Sequence, residues 1–553
     1  MKVVISCLNS KYVHASLSPW CLLAGVREFS ENEYDTVVME STINGDAKTF
    51  ANKIIKENPD IVAFSSYIWN ITQTLEICRI IKRSCSCKIV LGGPEVEYRA
   101  KDVLEKYEFA DFVLSGEGEW VFPEFLDNMN GDLSLVSGLT YRKNSEIFSN
   151  PVKEFEDTPP SPYGEEFFES LGGRISYIET ARGCPYRCAF CLSGRCSALR
   201  FFDIKRVKED IIRLSQSGTQ TVKFIDRTFN AKAERANEIL LFIKENYGKK
   251  IPTDVCFHFE IAGDILKQST LEILSSMPRG AVQLEIGMQS FNEETLRMIN
   301  RKTDTKKLIE NIKKLLSFNN MHIHIDLIAG LTGEDYESFR KSFNTAYSLR
   351  AHMLQMGFLK LLHGADMREN KEKYPCEFSE EPPYEVISTP WISADEMKLL
   401  KNCEDALDRL YNSGRFLFTL DYLTQEVGFL PFDVFNGFGN SVNGSRMRLS
   451  DYAEKLYLYF CDKCDKEILR EKILCDLLCS SSSVQIPESL KIKDPLYKKA
   501  KKYFTENVEK NIKIAVLYSQ NQIFAVNQSG SKNLHNRYEG ELYNIDEIKF
   551  INN

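Results

Sequence analysis

No run of about 18 apolar residues occurs in the 553-residue chain, so the sequence offers no segment that would span a bilayer as a helix. The start, MKVVISCLN, reads as a strand and lacks the basic region and cleavage site of a signal peptide, and the expected location is the cytoplasm. Surplus positive charge is missing as well. Lys and Arg number 70 against 78 Asp and Glu, a net charge of −8, and nonspecific affinity for nucleic acid comes from clustered cations, so a nucleic-acid partner is not expected. Nor is a disulfide framework expected, because the 16 cysteines are scattered through a long chain of intracellular type and read as reduced thiols.

What is present is an ordinary globular composition, 43% hydrophobic and 27% charged, at a length that predicts three to four domains. The expected fold class is α/β. Residues 1–130 alternate short apolar runs (KVVISCL, YDTVVME, IVAFSSY, KIVLGG, DFVLSGE) with helix-length segments. Runs buried on both faces and joined by helices predict a doubly wound, five-stranded parallel sheet whose ligand sits beyond the carboxyl ends of the strands. Ser65 and Ser66, Gly92 and Gly93, and Gly116, Glu117 and Gly118 stand at those ends, where small residues let a bulky ligand approach the backbone.

Residues 131–172 read as a bridge, with GLTYRKNSEIF a hairpin and TPPSPYGEE an exposed linker. From 173 to 370, six strand candidates (ISYIET, TVKFID, DVCFHFEI, AVQLEIGM, MHIHIDLIAG, HMLQMGFLKLL) alternate with helical segments and predict a six-unit partial (β/α) barrel. Residues 380–553 predict a mainly helical domain ending in a small hairpin from KIAVLYSQ and NQIFAVNQ. Within it Cys461, Cys464, Cys475 and Cys479 form C-x2-C-x10-C-x3-C. The intervening DKEILREKIL has no Gly or Pro knuckle, so these cysteines are expected to pack along helices rather than bind metal. The Lys-rich KKAKKYF at 498–504 reads as a solvated helix face.

The first barrel strand runs into ETARGCPYRCAFCLSG, with Cys184, Cys188 and Cys191 spaced C-x3-C-x2-C. Three thiolates hold three irons of a 4Fe-4S cluster and leave the fourth iron without a protein ligand, whereas a closed cluster or a structural zinc site needs four. An open iron implies chemistry. With Phe190 just before the third cysteine, the run resembles the radical S-adenosylmethionine (SAM) superfamily. The resemblance implies that the open iron chelates SAM and cleaves it reductively to a 5′-deoxyadenosyl radical, fed by a one-electron reductant such as flavodoxin or ferredoxin. A cluster of this kind would suit an anaerobic cell. The resemblance also assigns Phe190 to the SAM site and makes Asp226, in FIDRTFN, the candidate for the SAM ammonium, with Arg227 in place of a second acid. Glu285, Gln289 and Ser290 fall where relatives contact the ribose, and Ile328 and Gly330, in DLIAGLTGE, where backbone flanks the adenine. Glu260 and His363 are the candidates for a catalytic role, His363 standing in LKLLHGADM where proline is usual.

Placed before such a core, LGGPEVEY and LSGEGEW resemble the cobalamin-binding domain of cobalamin-dependent radical SAM enzymes. The resemblance implies cobalamin as a second cofactor, its tail and corrin edge lying along the strand-end residues from Ser65 to Gly118. The histidine-ligand motif D-x-H-x-x-G is absent: NSKYVHASL carries Asn9 and Lys11 at those places and His14 three residues on. No histidine is therefore expected beneath cobalt, and His14 is expected to open the first helix and bond locally. The implied activity is methylation of an unactivated carbon of a small molecule or peptide. The alternatives are radical cyclisation or rearrangement without methyl transfer and, from another class, a non-catalytic cobalamin- or metal-binding regulatory protein, against which the intact cysteine triad speaks. A methylthiotransferase is disfavoured, because the N-terminal block lacks a second cysteine triad.

Overall fold

The run KVVISCLN forms β1 (Lys2–Asn9), with seven of its eight residues buried, as befits a central strand covered on both faces. It pairs in parallel with β2 (Asp35–Thr42) and β3 (Ile61–Ser65), and β3 is followed outward by β4 (Lys88–Gly92) and β5 (Phe112–Leu114), all parallel. Helices α1 (Ser18–Phe29), α2 (Ala47–Lys56), α3 (Ile71–Ser84), α4 (Ala100–Lys106) and α5 (Gly118–Asn128) supply the crossovers. One difference from the expected sheet concerns its edge. The hairpin β6 (Leu139–Lys143) and β7 (Glu146–Ser149), turned by Asn144 and Ser145 at φ 51° and 66°, pairs antiparallel with β5, so the sheet has seven strands rather than five. The segment expected as a bridge thus begins inside the first sheet.

The structure, a computed structural model, describes residues 1–195, 199–480, 485–491, 495–507, 512–529 and 537–547. It divides into two units, the first Met1–Gly287 with Leu296–Met321 and Leu359–Ile387, the second Met288–Thr295 with His322–Phe358 and Ser388–Asn553. Besides the seven-stranded sheet, the first unit holds the start of the barrel: β8 (Ser176–Ile178), the short antiparallel pair β9 (Ala181–Arg182) and β10 (Arg200–Phe201), β11 (Thr221–Phe224), β12 (Cys256–Ile261) and β13 (Val282–Gln289), which reaches into the second unit by its last two residues. β8, β11, β12 and β13 pair in that order, all in parallel. Aspartates open the barrel helices by accepting a backbone N–H three residues on, Asp203 from Arg206 and Asp304 from Lys307.

In the second unit β14 (His322–Ala329) and β15 (Met353–Phe358) pair in parallel, and Asp335 caps the helix Tyr336–Ser348. The C-terminal part is helical through Ala394–Leu407, Pro431–Val442, Leu449–Phe460 and Lys466–Ser480. The expected hairpin is present as Ile512–Leu517 and Gln522–Asn527, and a third strand, Gly540–Asn544, completes an antiparallel sheet. Cys461 and Cys464 donate to the carbonyls of Leu458 and Phe460 at the end of one helix, while Cys475 and Cys479 are buried in the next. Lys498, Lys499, Lys501 and Lys502 are exposed on the helix Pro495–Asn507. Among the described residues no helix is long and apolar enough to cross a membrane.

α1 and α5 meet at Gly25, where a Cβ would stand 2.1 Å from the carbonyl oxygen of Glu119. Gly25→Ala therefore has to push the helices apart, at about 1–3 kcal/mol. The expected outcome is a lower urea midpoint for the N-terminal domain, and an unchanged midpoint would show that the helices part without cost.

Candidate active site

The cysteine loop is held by buried hydrogen bonds at its start and again between its second and third cysteines. Asp226, just past β11, accepts from the backbone N–H of Thr180 (2.7 Å) and of Ala181 (3.1 Å) and from the Thr180 hydroxyl. Burial pushes its carboxyl up to about 6, against the pull of those three donors. The carboxylate expected to meet an ammonium thus already has donors from its own chain, and it fixes the strand end from which the loop leaves. Farther along, Ala189 donates to the carbonyl of Ile299 (2.9 Å) and its own carbonyl accepts from Met367 (3.0 Å).

Cys184 and Cys188 lie between these anchors and Cys191 two residues past the second, all three as free thiols. Cys184 Sγ is 3.4 Å from Thr228 Oγ1, and Cys188 Sγ accepts from Arg301 at 3.7 Å. Burial raises the Cys188 pKa while the Arg301 guanidinium opposes it. Phe190 is half-buried in the turn before Cys191. Among the described residues no three His, Cys, Asp or Glu side chains converge as ligands of one metal ion. That agrees with the donor set: thiolates of a 4Fe-4S cluster bind separate irons and stand farther apart than ligands of a single ion. The residues present fit an open cluster. Cys196 lies outside the described residues.

A cavity of about 1150 Å³ opens between the carboxyl ends of the two sheets of the first unit, larger than the roughly 300–1,000 Å³ of ordinary small-molecule pockets. Ser65, Gly92, Gly93, Gly116, Glu117 and Gly118 line it from the N-terminal sheet; Glu179, Gly183, Ile225, Arg227 and Glu260 line it from the barrel. The expected Ser66 does not. Its side chain is fully buried, its N–H donates to Gly92 and its carbonyl accepts from Glu95.

The two adjacent glycines have different reasons. Gly93 has φ +100°, and a Cβ there would lie 2.7 Å from the carbonyl oxygen of Ser66, so the fold itself requires it. A Cβ on Gly92 would meet nothing nearer than the carbonyl oxygen of Leu114 at 3.4 Å, so only the cavity is in front of it. That open face is a cradle of the kind a large flat cofactor needs. His14 also departs from expectation. α1 starts at Ser18, and the imidazole Nδ1 lies 2.6 Å from the hydroxyl of Tyr177 on β8, a distant rather than local partner, with both residues on the cavity wall.

Ion pairs knit the cavity wall together. Arg182 on β9 contacts Glu117 (2.6 Å), Glu119 (2.8 Å) and Glu179 (2.6 Å), and Arg200 on β10 also contacts Glu117 (2.6 Å). Sequence reasoning missed both arginines; the only local signal for Arg182 is its place in ETARG beside Glu179. Farther along the strands Glu285 accepts from His258 (2.8 Å) and Lys223 (3.1 Å). Burial opposes its ionisation, but these two donors hold the carboxyl down to about 2. Glu260 stands 3.6 Å from Lys223, and burial together with the Glu285 charge raises its pKa. His363 is absent from the cavity wall. It packs edge-on against Tyr384 at 5.0 Å, and burial plus the charges of Arg99 and Arg368 lower its pKa to about 3, so the imidazole is neutral.

The remaining candidates belong to the second unit. Gln289 takes φ +69°, and Ser290 donates to the buried Glu334 at 2.6 Å. Burial raises the Glu334 carboxyl to about 7 against its hydroxyl donors Ser290 and Ser342. Ile328 pairs with Gly357 on β15, and Gly330 ends the β14 segment with φ +85°.

Comparison with known proteins matches three successive segments of the chain. Residues 5–126 match the B12 binding domain and residues 178–346 the radical SAM superfamily. The chain is a radical SAM protein with a B12-binding domain. Residues 372–551 match a protein family of unknown function, DUF4080. Among curated relatives, this radical SAM protein is 28% identical over 334 residues to 2-(S-pantetheinyl)-carbapenam-3-carboxylate methyltransferase of Streptantibioticus cattleyicolor, covering 53% of this chain and 46% of that one. It is 26% identical over 332 residues to the cobalamin-dependent radical SAM methyltransferase TokK of Streptomyces tokunonensis, again 53% and 46%. It thus spans about half the length of the curated relatives it matches. Its fold resembles that of the cobalamin-dependent SAM radical enzyme OxsB, solved with aqua-cobalamin and SAM bound, at TM-score 0.61 and 15% identity, covering 91% of this chain and 84% of that one.

The glycine pair gives a test. Gly93→Ala is expected to lower the melting temperature of the N-terminal domain, because both φ and the Ser66 carbonyl oppose a Cβ, whereas Gly92→Ala is expected to melt like wild type. Equal melting of the two variants would remove the distinction.

Proposed function

We propose that this protein is a cobalamin-dependent radical SAM methyltransferase acting on an unactivated carbon of a small molecule or peptide. The observation that carries this reading is the single cavity of the first unit, faced by the carboxyl ends of both its sheets, with the loop of three free thiols leaving the barrel strand at its edge. When bound, the cluster and SAM supply hydrogen-atom abstraction and cobalamin supplies the methyl group.

The chain's own part is placement. Cys184, Cys188 and Cys191 would hold the cluster, and Asp226 keeps their loop in place through Thr180 and Ala181. Gly92, Gly116 and Gly118, with Ser65 and Glu117, would receive cobalamin against nearly bare backbone. Phe190 and Glu285 of the first unit are proposed SAM contacts, and Gln289, Ser290, Ile328 and Gly330 are those proposed from the second. Arg182 and Arg200 tie Glu117, Glu119 and Glu179 into the wall, three carboxylates sharing two guanidiniums. Electrons come from a one-electron reductant such as flavodoxin or ferredoxin.

In anaerobically reconstituted protein, Ala at Cys184, Cys188 or Cys191 should abolish the cluster absorbance and all SAM cleavage, while Cys196→Ala keeps both. Gly92→Val should retain less cobalamin on purification without altering SAM cleavage in the absence of cobalamin. With a substrate, S-adenosylhomocysteine should accumulate alongside 5′-deoxyadenosine. Deoxyadenosine alone would point to cyclisation or rearrangement, and failure of fully iron-loaded protein to cleave SAM would refute the enzymatic reading.

A further inference from the structure

Three arginines stand on the cavity wall, and they differ in what they face. Arg182 and Arg200 are consumed by Glu117, Glu119 and Glu179. Arg227 is exposed to the cavity, and no carboxylate of the described residues lies within ion-pair reach of it. Glu260, whose carboxylate feels the Arg227 charge, is itself engaged by Lys223 at 3.6 Å. Its backbone is held rigidly: the preceding Asp226 anchors Thr180 and Ala181, and the following Thr228 touches Cys184 Sγ at 3.4 Å. An arginine with no carboxylate partner among the described residues thus stands between two residues that touch the cysteine loop, and it lines the cavity.

A guanidinium stays protonated at every accessible pH and presents a planar fork of donors matched to carboxylate or phosphate. From this geometry we infer that Arg227 binds an oxyanion of the substrate, so that the molecule acted on carries a carboxylate or phosphate group. The remaining acids of the wall do not contradict this. Glu117, Glu119 and Glu179 share the two guanidiniums of Arg182 and Arg200, and Glu97, Glu154 and Glu156, which also line the cavity, form no ion pair with Arg227. The inference rests on the proposed function only in naming the bound molecule as substrate; the oxyanion site itself can be tested without turnover.

The experiment is calorimetric titration of the reconstituted full-length protein with inorganic phosphate at low ionic strength, with and without saturating SAM. Wild type should bind phosphate saturably, and SAM should leave that binding in place, because the site belongs to another ligand. Arg227→Met should weaken binding by about tenfold or more, Arg227→Lys should restore part of it without the bidentate fork, and Lys498→Met, on an exposed helix, should bind as wild type. Cobalamin, proposed for the same cavity, carries a phosphate of its own, so the titration is repeated with cobalamin bound; unchanged binding in Arg227→Met, no saturable binding in wild type, or displacement of phosphate by SAM or by cobalamin would each overturn the inference. SAM cleavage by the same wild-type preparation reports separately on the enzymatic reading, so the two failures are distinguishable.

Discussion

The first unit depends on one guanidinium. Arg182 sits on a two-residue strand between β8 and the cysteine loop, yet its three carboxylate partners come from both halves of the unit: Glu117 and Glu119 from the strand-end turn and helix of the N-terminal sheet, Glu179 from the barrel. Glu119 is almost wholly buried, and a buried carboxylate without a cation costs several kcal/mol. The Glu117 turn, the N-terminus of α5 and the start of the cysteine loop can therefore take up their places only together. Arg200 reinforces the arrangement from the opposite strand of the pair through the same Glu117. Where the fold needs two ligand-bearing surfaces to face each other, apolar packing alone would specify the distance loosely. Charge pairing, with N–O contacts of 2.6–2.8 Å, specifies it more closely.

The barrel strands divide their faces in a way that serves the same end. On β11, β12 and β13 the phenylalanine, valine, leucine and isoleucine side chains alternate with Lys223, His258, Glu260 and Glu285, so one face joins the core and the other carries a connected polar row ending at the cavity. A row so fully paired holds its side chains in fixed rotamers, as a site that positions a ligand needs.

What could be read from the sequence was what is local in it. The cysteine triad, the β/α alternation and the six barrel strands each lie within a few consecutive residues, and the doubly wound and barrel architectures follow from them. The wall of the site was less legible, because its contacts join residues far apart: Arg182 to Glu119 across 63 positions, His14 to Tyr177 across 163. Gly92 and Gly93 read alike as letters, and only the carbonyl of Ser66 behind Gly93 tells the glycine that the fold requires from the one that has room for a Cβ. The same holds for Asp226, whose sequence context suggests a ligand contact while its buried surroundings give it the strand end before the loop. The β6–β7 hairpin was recognised as a hairpin, but its pairing with β5 is a tertiary fact that no turn signal carries.

That pairing also bears on where the chain can be divided. Without Leu139–Lys143 alongside it, β5 would present a bare row of backbone donors and acceptors at the margin of a twisted parallel sheet, open to pairing with any other chain. A fragment ended near residue 130, where the β/α pattern stops, would carry that sticky margin, whereas one continued past Ser149 would close it with a short strand bearing Glu146 at its start. The smallest soluble portion of the N-terminal half is thus set by the hairpin and not by the last crossover helix.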